Sequence, residues 1–542
     1  MRSTFPVIAF LVLAPPALAK APTLEHLFPA GGSRGSTVEV SAAGQFERWP
    51  VRGWASIPGI SIRPGGEKGK LSIALAADAP PGVHWVRMFD DEGATAPRPF
   101  VVGTLPEVVE VEPNDAPAQA QEVEASGVVV NGRFGKNGDV DGFRVALKKG
   151  QTLVASMEAN RRLGSPMDGV LQVASSAGFV LSQVDDEHDR DPQIAFEAPS
   201  DGDYIVRGFA FPFVQESSIR FAGAATYIYR LTLTTGGFAD HAYPFAVPAG
   251  TSTEVELIGW NIPEAARRRT IEATDVDGPI SLDHPLLANP VEVRVVEEPS
   301  AVEVEPNGRA HPQRLSTPTV VGGRIDPPGD VDVFEFAGKK GEPLVFKVES
   351  RSLGQPLDAV LRVGDASGST IVEVDDARKG FDPEVRFNPP ADGTYRVSVR
   401  DLNGQGGPRY AYLLSAGRPR PDFSLTLKSD QLAITPGKPL EVVVAVERSE
   451  GYAEPIEIGL AEHFDGVIAP AVTSGRTGPS AASVTLRLTA CDCARPGPIR
   501  IVGTSADGRR KWATAPVAGF ATPIDRAWLT PTKAPAPKTE AK

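Results

Sequence analysis

Residues 138–143, Gly-Asp-Val-Asp-Gly-Phe, recur 191 positions later as residues 329–334, Gly-Asp-Val-Asp-Val-Phe. This pair belongs to a series of motifs that keep their order and an offset near 190 residues. The other repeated motifs are E-V-E-P-N at 110–114 and 303–307, K-K-G at 148–150 and 339–341, L-G-x-P-x-D at 163–168 and 353–358, V-D-D at 184–186 and 374–376, and D-G-x-Y at 201–204 and 392–395. The chain therefore contains two copies of one structural unit.

The stretches between these motifs have the pattern of short β-strands. Residues 143–147 alternate apolar and polar side chains, which is typical of a strand with one buried face. The apolar runs at 204–206 and 395–399 each follow an Asp-Gly turn. Gly (54) and Pro (51) are abundant, as tight turns require. The sequence therefore predicts an all-β chain, a string of antiparallel β-sandwiches.

In this order the motifs resemble the bacterial pre-peptidase C-terminal (PPC) domain. That family is a jelly-roll-like β-sandwich found beside secreted proteases and in the collagen-binding domains of clostridial collagenases. The resemblance covers about 108–235 and 301–417, and it implies that both copies are jelly-roll-like sandwiches. The intervening segments look Ig-like: F-P-A-G-G at 28–32 followed by G-S-T-V-E-V at 35–40 resembles the start of an IPT/TIG domain, and V-P-A-G at 247–250 resembles it more weakly.

These patterns predict two repeats that alternate with smaller Ig-like modules. The predicted order is an export signal (1–19), an N-terminal module (20–107), the first repeat (108–235), a middle module (236–300), the second repeat (301–417), a C-terminal module (418–520) and a disordered tail (521–542). The tail is predicted from its Pro, Lys, Thr and Ala content. Each sandwich is expected to have its own core.

The N-terminus has the features of an export signal. Met1-Arg2 is positively charged, residues 5–18 are apolar but too short to span a bilayer, and Ala17-Leu18-Ala19 gives an A-x-A cleavage pattern before Lys20. No later stretch reaches membrane-spanning length. We therefore expect an exported protein, extracellular, at the cell surface or periplasmic, with no transmembrane segment after signal removal.

The net charge bears on the possible partners, and the two cysteines bear on disulfide formation. The formal net charge is −13 and no block of Lys or Arg offsets it, so a nucleic-acid partner is not expected. The negative charge is consistent with cation binding, or it merely keeps the protein surface soluble. Cys491 and Cys493 stand C-x-C beside a Pro/Gly-rich turn, and a bridge between them is possible after export.

Acidic side chains gather at the entry to the first repeat. Glu110 and Glu112 are two apart, so they point to one side of an extended chain. Asp139 and Asp141 have the same spacing in a Gly-bounded loop. If the loop packs against the linker, their negative charges crowd unless a cation neutralises them. Calcium takes six to eight oxygen ligands in flexible geometry and suits such a set, whereas zinc prefers His and Cys.

The family resemblance implies the same metal and names its ligands. In collagen-binding members, the E-x-E-x-N-D linker and the D-x-D loop supply calcium ligands. Carried over, this implies Glu110, Glu112, Asn114, Asp115, Asp139 and Asp141 in the first repeat, and Glu303, Glu305, Asn307, Asp330 and Asp332 in the second. Gly308 stands where Asp115 stands, so the second site is expected to be weaker or to hold fewer ions. The alternative is an acidic linker beside a solvated turn.

No catalytic set emerges from the sequence. Residues 31–35 match G-x-S-x-G, but a strand rather than a helix is predicted after them, so a structural turn is expected. The seven His residues are scattered singly. An insertion of the first repeat contains alternating phenylalanines, Phe209, Phe211 and Phe213. They form either an aromatic strip for binding or part of the hydrophobic core. We expect a non-catalytic binding or adhesion protein with an extracellular protein or polysaccharide partner. The alternatives are an envelope spacer and an accessory chain of a secreted peptidase.

Overall fold

The computed structural model describes residues 20–188, 190–213, 220–273, 279–377 and 380–532. These residues form 45 strands, two one-turn α-helices and three 3₁₀ turns (Pro117–Gln119, Arg351–Leu353 and Pro479–Ala481), so the all-β prediction is confirmed. The predicted export signal lies outside the described residues. Within them, no helix combines the length and the apolar composition needed to cross a bilayer.

The N-terminal module is a small sandwich. Its strands are β1 (His26–Phe28), β2 (Gly31–Ser33), β3 (Thr37–Ala43), β4 (Arg52–Ala55), β5 (Ile60–Pro64), β6 (Lys70–Leu75), β7 (Gly82–Phe89) and β8 (Arg98–Gly103). They form two four-stranded sheets, β1-β3-β6-β5 and β2-β8-β7-β4. The G-x-S-x-G sequence comprises β2 and the turn at residues 34–35 that leads into β3, so a strand rather than a helix follows it, as predicted.

The first repeat is a sandwich of two five-stranded sheets. Its elements are β9 (Glu107–Val109), β10 (Gln121–Glu122), β11 (Val128–Arg133), β12 (Asp141–Leu147), β13 (Thr152–Glu158), α1 (Asn160–Leu163), β14 (Met167–Ser175), β15 (Val180–Val184), β16 (Gln193–Glu197), β17 (Gly202–Pro212) and β18 (Ile228–Thr234). The sheets have the orders β10-β12-β17-β14-β15 and β16-β13-β18-β11-β9. Phe143, Val145 and Leu171 are among the side chains buried between them.

The middle module is the smallest of the sandwiches. Its elements are β19 (Phe238–Tyr243), β20 (Ala246–Pro248), β21 (Ser252–Trp260), α2 (Glu264–Arg267), β22 (Arg268–Glu272), β23 (Ile280–Leu282) and β24 (Val291–Val296). The two three-stranded sheets are β19-β21-β22 and β20-β24-β23. Val255, Leu257 and Val293 lie in the core between them.

The second repeat has the same strand order as the first. Its strands are β25 (Ser300–Val302), β26 (Gln313–Arg314), β27 (Thr319–Arg324), β28 (Val331–Gly338), β29 (Leu344–Glu349), β30 (Ala359–Asp365), β31 (Thr370–Val374), β32 (Glu384–Phe387), β33 (Gly393–Asp401) and β34 (Ala411–Gly417). The sheets β26-β28-β33-β30-β31 and β25-β27-β34-β29-β32 reproduce those of the first repeat strand for strand. The internal repeat of the sequence is thus a repeat of topology.

The C-terminal module has one large sheet and one small sheet. Its strands are β35 (Asp422–Leu427), β36 (Gln431–Ile434), β37 (Leu440–Ser449), β38 (Ile456–Leu460), β39 (Val467–Ile468), β40 (Val472–Ser474), β41 (Ser483–Ala490), β42 (Gly497–Ile499), β43 (Ile501–Ser505), β44 (Arg510–Thr514) and β45 (Ala527–Pro531). The sheets are β39-β41-β37-β35-β44-β43-β38-β40 and β36-β45-β42. Cys491 and Cys493 form a disulfide in the turn after β41.

The prediction of a disordered tail from residue 521 is wrong for residues 521–532. Strand β45 lies between β36 and β42, with Trp528 and Leu529 buried. The Pro- and Thr-rich composition obscured two large apolar side chains that complete the core of the C-terminal module. Residues 533–542 lie outside the described part of the chain.

The first and last modules contact each other directly. Arg87 of β7 donates through Nη2 to Asp430 Oδ2 at 2.8 Å, and both side chains are buried. The Trp528 ring packs against Trp54 and Phe89, with ring centroids 5.6 and 4.7 Å apart. The string of sandwiches therefore brings its two ends together.

A buried carboxylate joins the other three modules. Asp240 on β19 accepts hydrogen bonds from Gln193 Nε2 of the first repeat at 3.2 Å and Arg409 Nε of the second repeat at 3.0 Å. His241 Nδ1 lies 2.9 Å from the same carboxylate. Burial alone would raise the pKa of Asp240, but His241 and Arg409 hold it below its ordinary value. The middle module is therefore tied to both repeats by an ionic network.

The buried ion pair between the chain ends can be tested by Asp430→Asn. The substitution leaves the Arg87 guanidinium buried without its carboxylate, which costs about 3–5 kcal/mol when one partner of a buried pair is removed. We expect a clearly lower urea midpoint for the full chain. Glu441→Gln is the control, because it breaks an exposed pair with Arg487 and should cost less than about 1 kcal/mol. Equal midpoints for the two variants would contradict the assignment.

Candidate metal centres

The linker and the acidic hairpin of the first repeat meet because β9 pairs in parallel with β11. Beyond β9, the Glu110 amide donates to the Asn131 carbonyl at 3.0 Å, which keeps the linker beside the sheet. The Val140 amide of the hairpin donates to Asp115 Oδ1 at 3.4 Å. Carboxylates from two separate segments are thereby gathered at one edge of the sandwich.

Three of these carboxylates form an outer group. Glu112, Asp115 and Asp139 each place one oxygen within 4.8 Å of the other two. Glu112 is exposed, whereas Asp139 is buried and accepts the Gly135 amide at 2.6 Å. The Lys136 ammonium lies 3.5 Å from Asp115 Oδ2 and 3.4 Å from Asp139 Oδ1. The positively charged Lys136 side chain therefore lies beside the outer group.

Glu110 and Asp141 form an inner pair with Tyr229. The Tyr229 hydroxyl lies 2.5 Å from Asp141 Oδ2 and 3.2 Å from Glu110 Oε2, and the Arg133 amide donates to Glu110 Oε1 at 2.8 Å. Burial, and then the charge of Glu110, raise the pKa of Asp141 to about 10. Burial also raises the pKa of Glu110. Without a metal cation, this pair therefore retains a proton at neutral pH.

Asn114 lies next to these carboxylates with its side chain fully buried. Neither its Oδ1 nor its Nδ2 has a hydrogen-bond partner among the described residues, and the same holds for Asp141 Oδ1. Buried polar atoms in folded proteins are nearly always satisfied by protein, water or an ion. The unpaired amide and carboxylate oxygens thus fit the donor set of a hard cation.

The second repeat gathers its carboxylates in a related way. Glu303, Glu305 and Asp332 each place one oxygen within 4.8 Å of the other two. The Tyr412 hydroxyl donates to Asp332 Oδ2 at 2.6 Å, as Tyr229 does to Asp141. Burial, and then the charge of Glu303, raise the pKa of Asp332 to about 9. The inner geometry is therefore common to both repeats.

Asn307 repeats the environment of Asn114. It is fully buried, and both side-chain amide atoms lack a hydrogen-bond partner within the described ranges. Glu303 Oε2, Asp330 Oδ2 and Asp332 Oδ1 are buried and unpaired in the same sense. Five buried polar atoms without partners thus come from the predicted ligands of the second repeat.

The outer groups of the two repeats differ. Gly308 replaces Asp115, and Pro327 stands where Lys136 stands, three residues before the first Asp of the hairpin. Tyr243 of the middle module donates its hydroxyl to Glu303 Oε1 at 3.1 Å. The second centre has fewer carboxylates and no such lysine, and it contacts a neighbouring module directly.

The sequence indicated the carboxylates but not their protein partners. All the predicted ligands lie at these two linker–hairpin junctions, although Asp330 is outside the three-residue group of the second repeat. Tyr229, Tyr412 and Lys136 were missed. The tyrosines carry a faint signal, because both stand in Tyr-x-Leu on the last strand of a repeat. Their offset of 183 residues falls outside the repeat spacing, since the first repeat contains the Phe-rich insertion.

Comparison with known protein families identifies part of the second repeat. Residues 330–401 match the family described as bacterial pre-peptidase C-terminal domain. A probable subtilase-type serine protease of Deinococcus radiodurans is 43% identical over 77 residues, which are 14% of this chain and 10% of that protein. The chain thus covers a tenth of the length of this relative. The predicted resemblance is confirmed for residues 330–401, and it stays a prediction for the first repeat and the IPT/TIG-like modules.

Solved structures show weak overall similarity to the chain. The fibronectin(III)-like modules of Clostridium thermocellum CbhA are 14% identical and match 39% of this chain and 94% of their own, with a TM-score of 0.13. The Bacteroides ovatus protein SGBP-B of a mixed-linkage glucan utilization locus is 10% identical and matches 74% of this chain and 75% of its own, with a TM-score of 0.15. Scores this low carry no argument about ligands.

The raised pKa values of Asp141 and Asp332 predict how stability depends on pH in a chelator. Between pH of about 5 and 9, the folded protein keeps protons that the unfolded chain has released, so the free energy of unfolding should fall as pH rises. Thermal unfolding in EDTA at several pH values measures this slope. Asp141→Asn should make it shallower.

The control for this experiment is Asp201→Asn. The pKa of Asp201 is lowered by the Lys149 amide and by Lys148, so it titrates below this pH window and its loss should leave the slope unchanged. A slope as steep in Asp141→Asn as in the wild type would contradict the assignment.

Proposed function

We propose that this chain is an exported, non-catalytic binding protein whose two repeats are PPC-like sandwiches stabilised by calcium. The observation that carries the proposal is the recurrence of one arrangement in both repeats. A fully buried asparagine with unpaired amide atoms lies beside carboxylates from a linker and a hairpin. A cation at this point would coordinate the unpaired amide and carboxylate oxygens, and it would fix the linker on the sandwich.

Calcium suits this arrangement better than other biological cations. The predicted ligands offer only oxygen, which excludes the His and Cys ligands that zinc favours. Calcium accepts six to eight oxygens with flexible geometry, whereas magnesium demands near-ideal octahedral geometry and keeps several waters. Carboxylates from two chain segments and one amide oxygen match the first description.

The two repeats should differ in calcium capacity. The first repeat has an outer group of Glu112, Asp115 and Asp139 in addition to the inner pair of Glu110 and Asp141, so it offers room for two ions. The second repeat lacks the Asp115 equivalent and offers room for one. Lys136 must leave the outer group of the first repeat when an ion enters, which its exposed side chain allows.

A binding role is favoured over a simple spacer by exposed apolar side chains. Phe179, Val180 and Leu181 are 74%, 49% and 47% exposed, at the start of the edge strand β15. A spacer with no ligand should lack such a row. We propose an extracellular protein or polysaccharide as the partner. The family match at residues 330–401, in a domain that a subtilase-type protease relative shares, supports an extracellular location and leaves an accessory role beside a peptidase as the second candidate.

Calcium titration of the chelator-treated full chain tests the proposal. An ion that binds only the folded state adds about 2.7 kcal/mol at 100 times Kd, so Tm should rise with calcium concentration. The titration must cover about 10⁻⁴–10⁻³ M, where extracellular modules often bind. Asp139→Asn should weaken binding in the first repeat and Asp332→Asn in the second.

Two controls make this titration decisive. Asp201→Asn removes a carboxylate that directly precedes β17 and accepts the Lys149 amide, and it should leave the calcium-dependent rise in Tm intact. Magnesium at equal concentration should give a smaller rise than calcium. A Tm that does not respond to calcium at ten times this range would refute calcium stabilisation, and both repeats would then be plain sandwiches with acidic linkers.

Removal of Lys136 should strengthen calcium binding in the first repeat. Its ammonium competes with calcium for Asp115 and Asp139, and exposed ion pairs are weak, so Lys136→Gln should tighten calcium binding by up to about fivefold. Calorimetric titration measures this change. Lys148→Gln, which removes a lysine paired with Asp201 outside the cluster, is the matched control. Weaker calcium binding by Lys136→Gln would mean that the ammonium supports the site.

A further inference from the structure

The second repeat contains a cavity of about 360 Å³ beside its metal centre. Val360, Arg362, Ser398 and Arg400 line it from β30 and β33. Their neighbours Leu361, Val363, Val397 and Val399 belong to the hydrophobic core. Because side chains alternate along a strand, the cavity lies on the sheet face that points away from the core.

The lining of this cavity is positively charged. Arg309, Arg362 and Arg400 contribute three guanidinium groups, and Asp330 contributes one carboxylate. Arg400 also lies 3.6 Å from Glu373. Among the described residues, no hydrogen bond or ion pair engages the guanidinium groups of Arg309 and Arg362. In a chain with a net charge of −13, this is a local excess of free cationic donors.

The first repeat fills the corresponding place with aromatic side chains. Val170 pairs with Phe209 there, just as Val360 pairs with Arg400 in the second repeat. Phe209 packs with Val140 and Val170, and it stacks on Phe221 of the insertion with ring centroids 4.2 Å apart. Phe209 is thus a core residue of this small cluster, whereas Phe213 is 43% exposed.

Substitutions at matching positions open this place in the second repeat. Arg400 replaces Phe209, Arg362 replaces Gln172, and Gly308 replaces Asp115. A Cβ at Gly308 would meet only the Val331 carbonyl, at 3.9 Å. The first repeat carries Arg207 at the position of Ser398. The second repeat nevertheless has more arginines on this face, and it lacks the Phe209 side chain that packs there in the first repeat. The same backbone thus presents an aromatic cluster in one repeat and a cationic cavity in the other.

We propose that this cavity binds a uronic acid residue of an acidic polysaccharide. The inference deepens the proposed binding function and rests on it. The volume of the cavity is at the low end of the 300–1,000 Å³ typical of small-molecule pockets. A cavity of this size suits a sugar unit better than a lone carboxylate side chain. The arginines offer the fork geometry that recognises carboxylates, and Val331 and Val360 offer an apolar floor for the ring.

Calorimetric titration of the full chain with trigalacturonic acid tests the inference. The titration is run in EDTA, so that calcium bridging cannot contribute and failure of the calcium proposal cannot mask the result. We expect the trimer to bind with one-to-one stoichiometry and its methyl ester, which lacks the charge, not to bind. Hexaglutamate presents the same charge on a peptide and should not bind.

Three variants place the binding in the cavity. Arg362→Gln and Arg400→Gln should each weaken binding about tenfold or more, because each removes a charge-assisted hydrogen bond. Arg400→Phe copies the first repeat and should abolish binding by filling the cavity. Arg314→Gln, at an exposed arginine of β26 outside the cavity, is the matched control and should bind as the wild type does.

Several results would overturn the proposal. Absence of binding to the acidic trimer, or equal binding of its methyl ester, would exclude carboxylate recognition. Wild-type affinity in both glutamine variants, with an unchanged Tm, would place the ligand elsewhere. Preference for hexaglutamate would assign the cavity to an acidic peptide instead.

Discussion

The burial of carboxylates where the linker meets the hairpin of a repeat is the constraint on which this structure depends. An ionised carboxylate cannot stay buried without compensation. In the absence of a metal cation, a retained proton and the Tyr229 hydroxyl compensate the Glu110–Asp141 pair, and the Lys136 ammonium compensates Asp115 and Asp139. Because the carboxylates come from two segments, whatever neutralises them also fixes the direction in which the chain enters the sandwich.

This constraint reaches beyond a single repeat because the modules contact one another. Tyr243 of the middle module donates to Glu303 of the second repeat, and Asp240 joins the middle module to both repeats. The Arg87–Asp430 pair then connects the first module to the last. The second junction is therefore part of a contact between modules, because the Tyr243 hydroxyl of the middle module donates to Glu303.

The two repeats show how one sheet topology supports different surfaces. Their strands pair in the same order, and their inner carboxylates accept a tyrosine hydroxyl in the same way. Where the first repeat has Phe209 packed under Phe221, the second has Arg400 beside a cavity. The copies therefore share their backbone pairing and differ in the side chains on the sheet face that points away from the core.

The sequence by itself determined the repeat, the all-β fold and the acidic residues at each junction, because motif spacing and period-two alternation are local properties. The spacing of two residues predicted that Glu110 and Glu112 point to one side of the linker. Only the tertiary structure decided that Tyr229 reaches Asp141 from 88 residues away and that Trp528 completes a core rather than a tail. It also decided that Arg87 meets Asp430 across 343 residues. These contacts depend on sheet closure and module packing, which bring together residues whose separation along the chain carries no local signal.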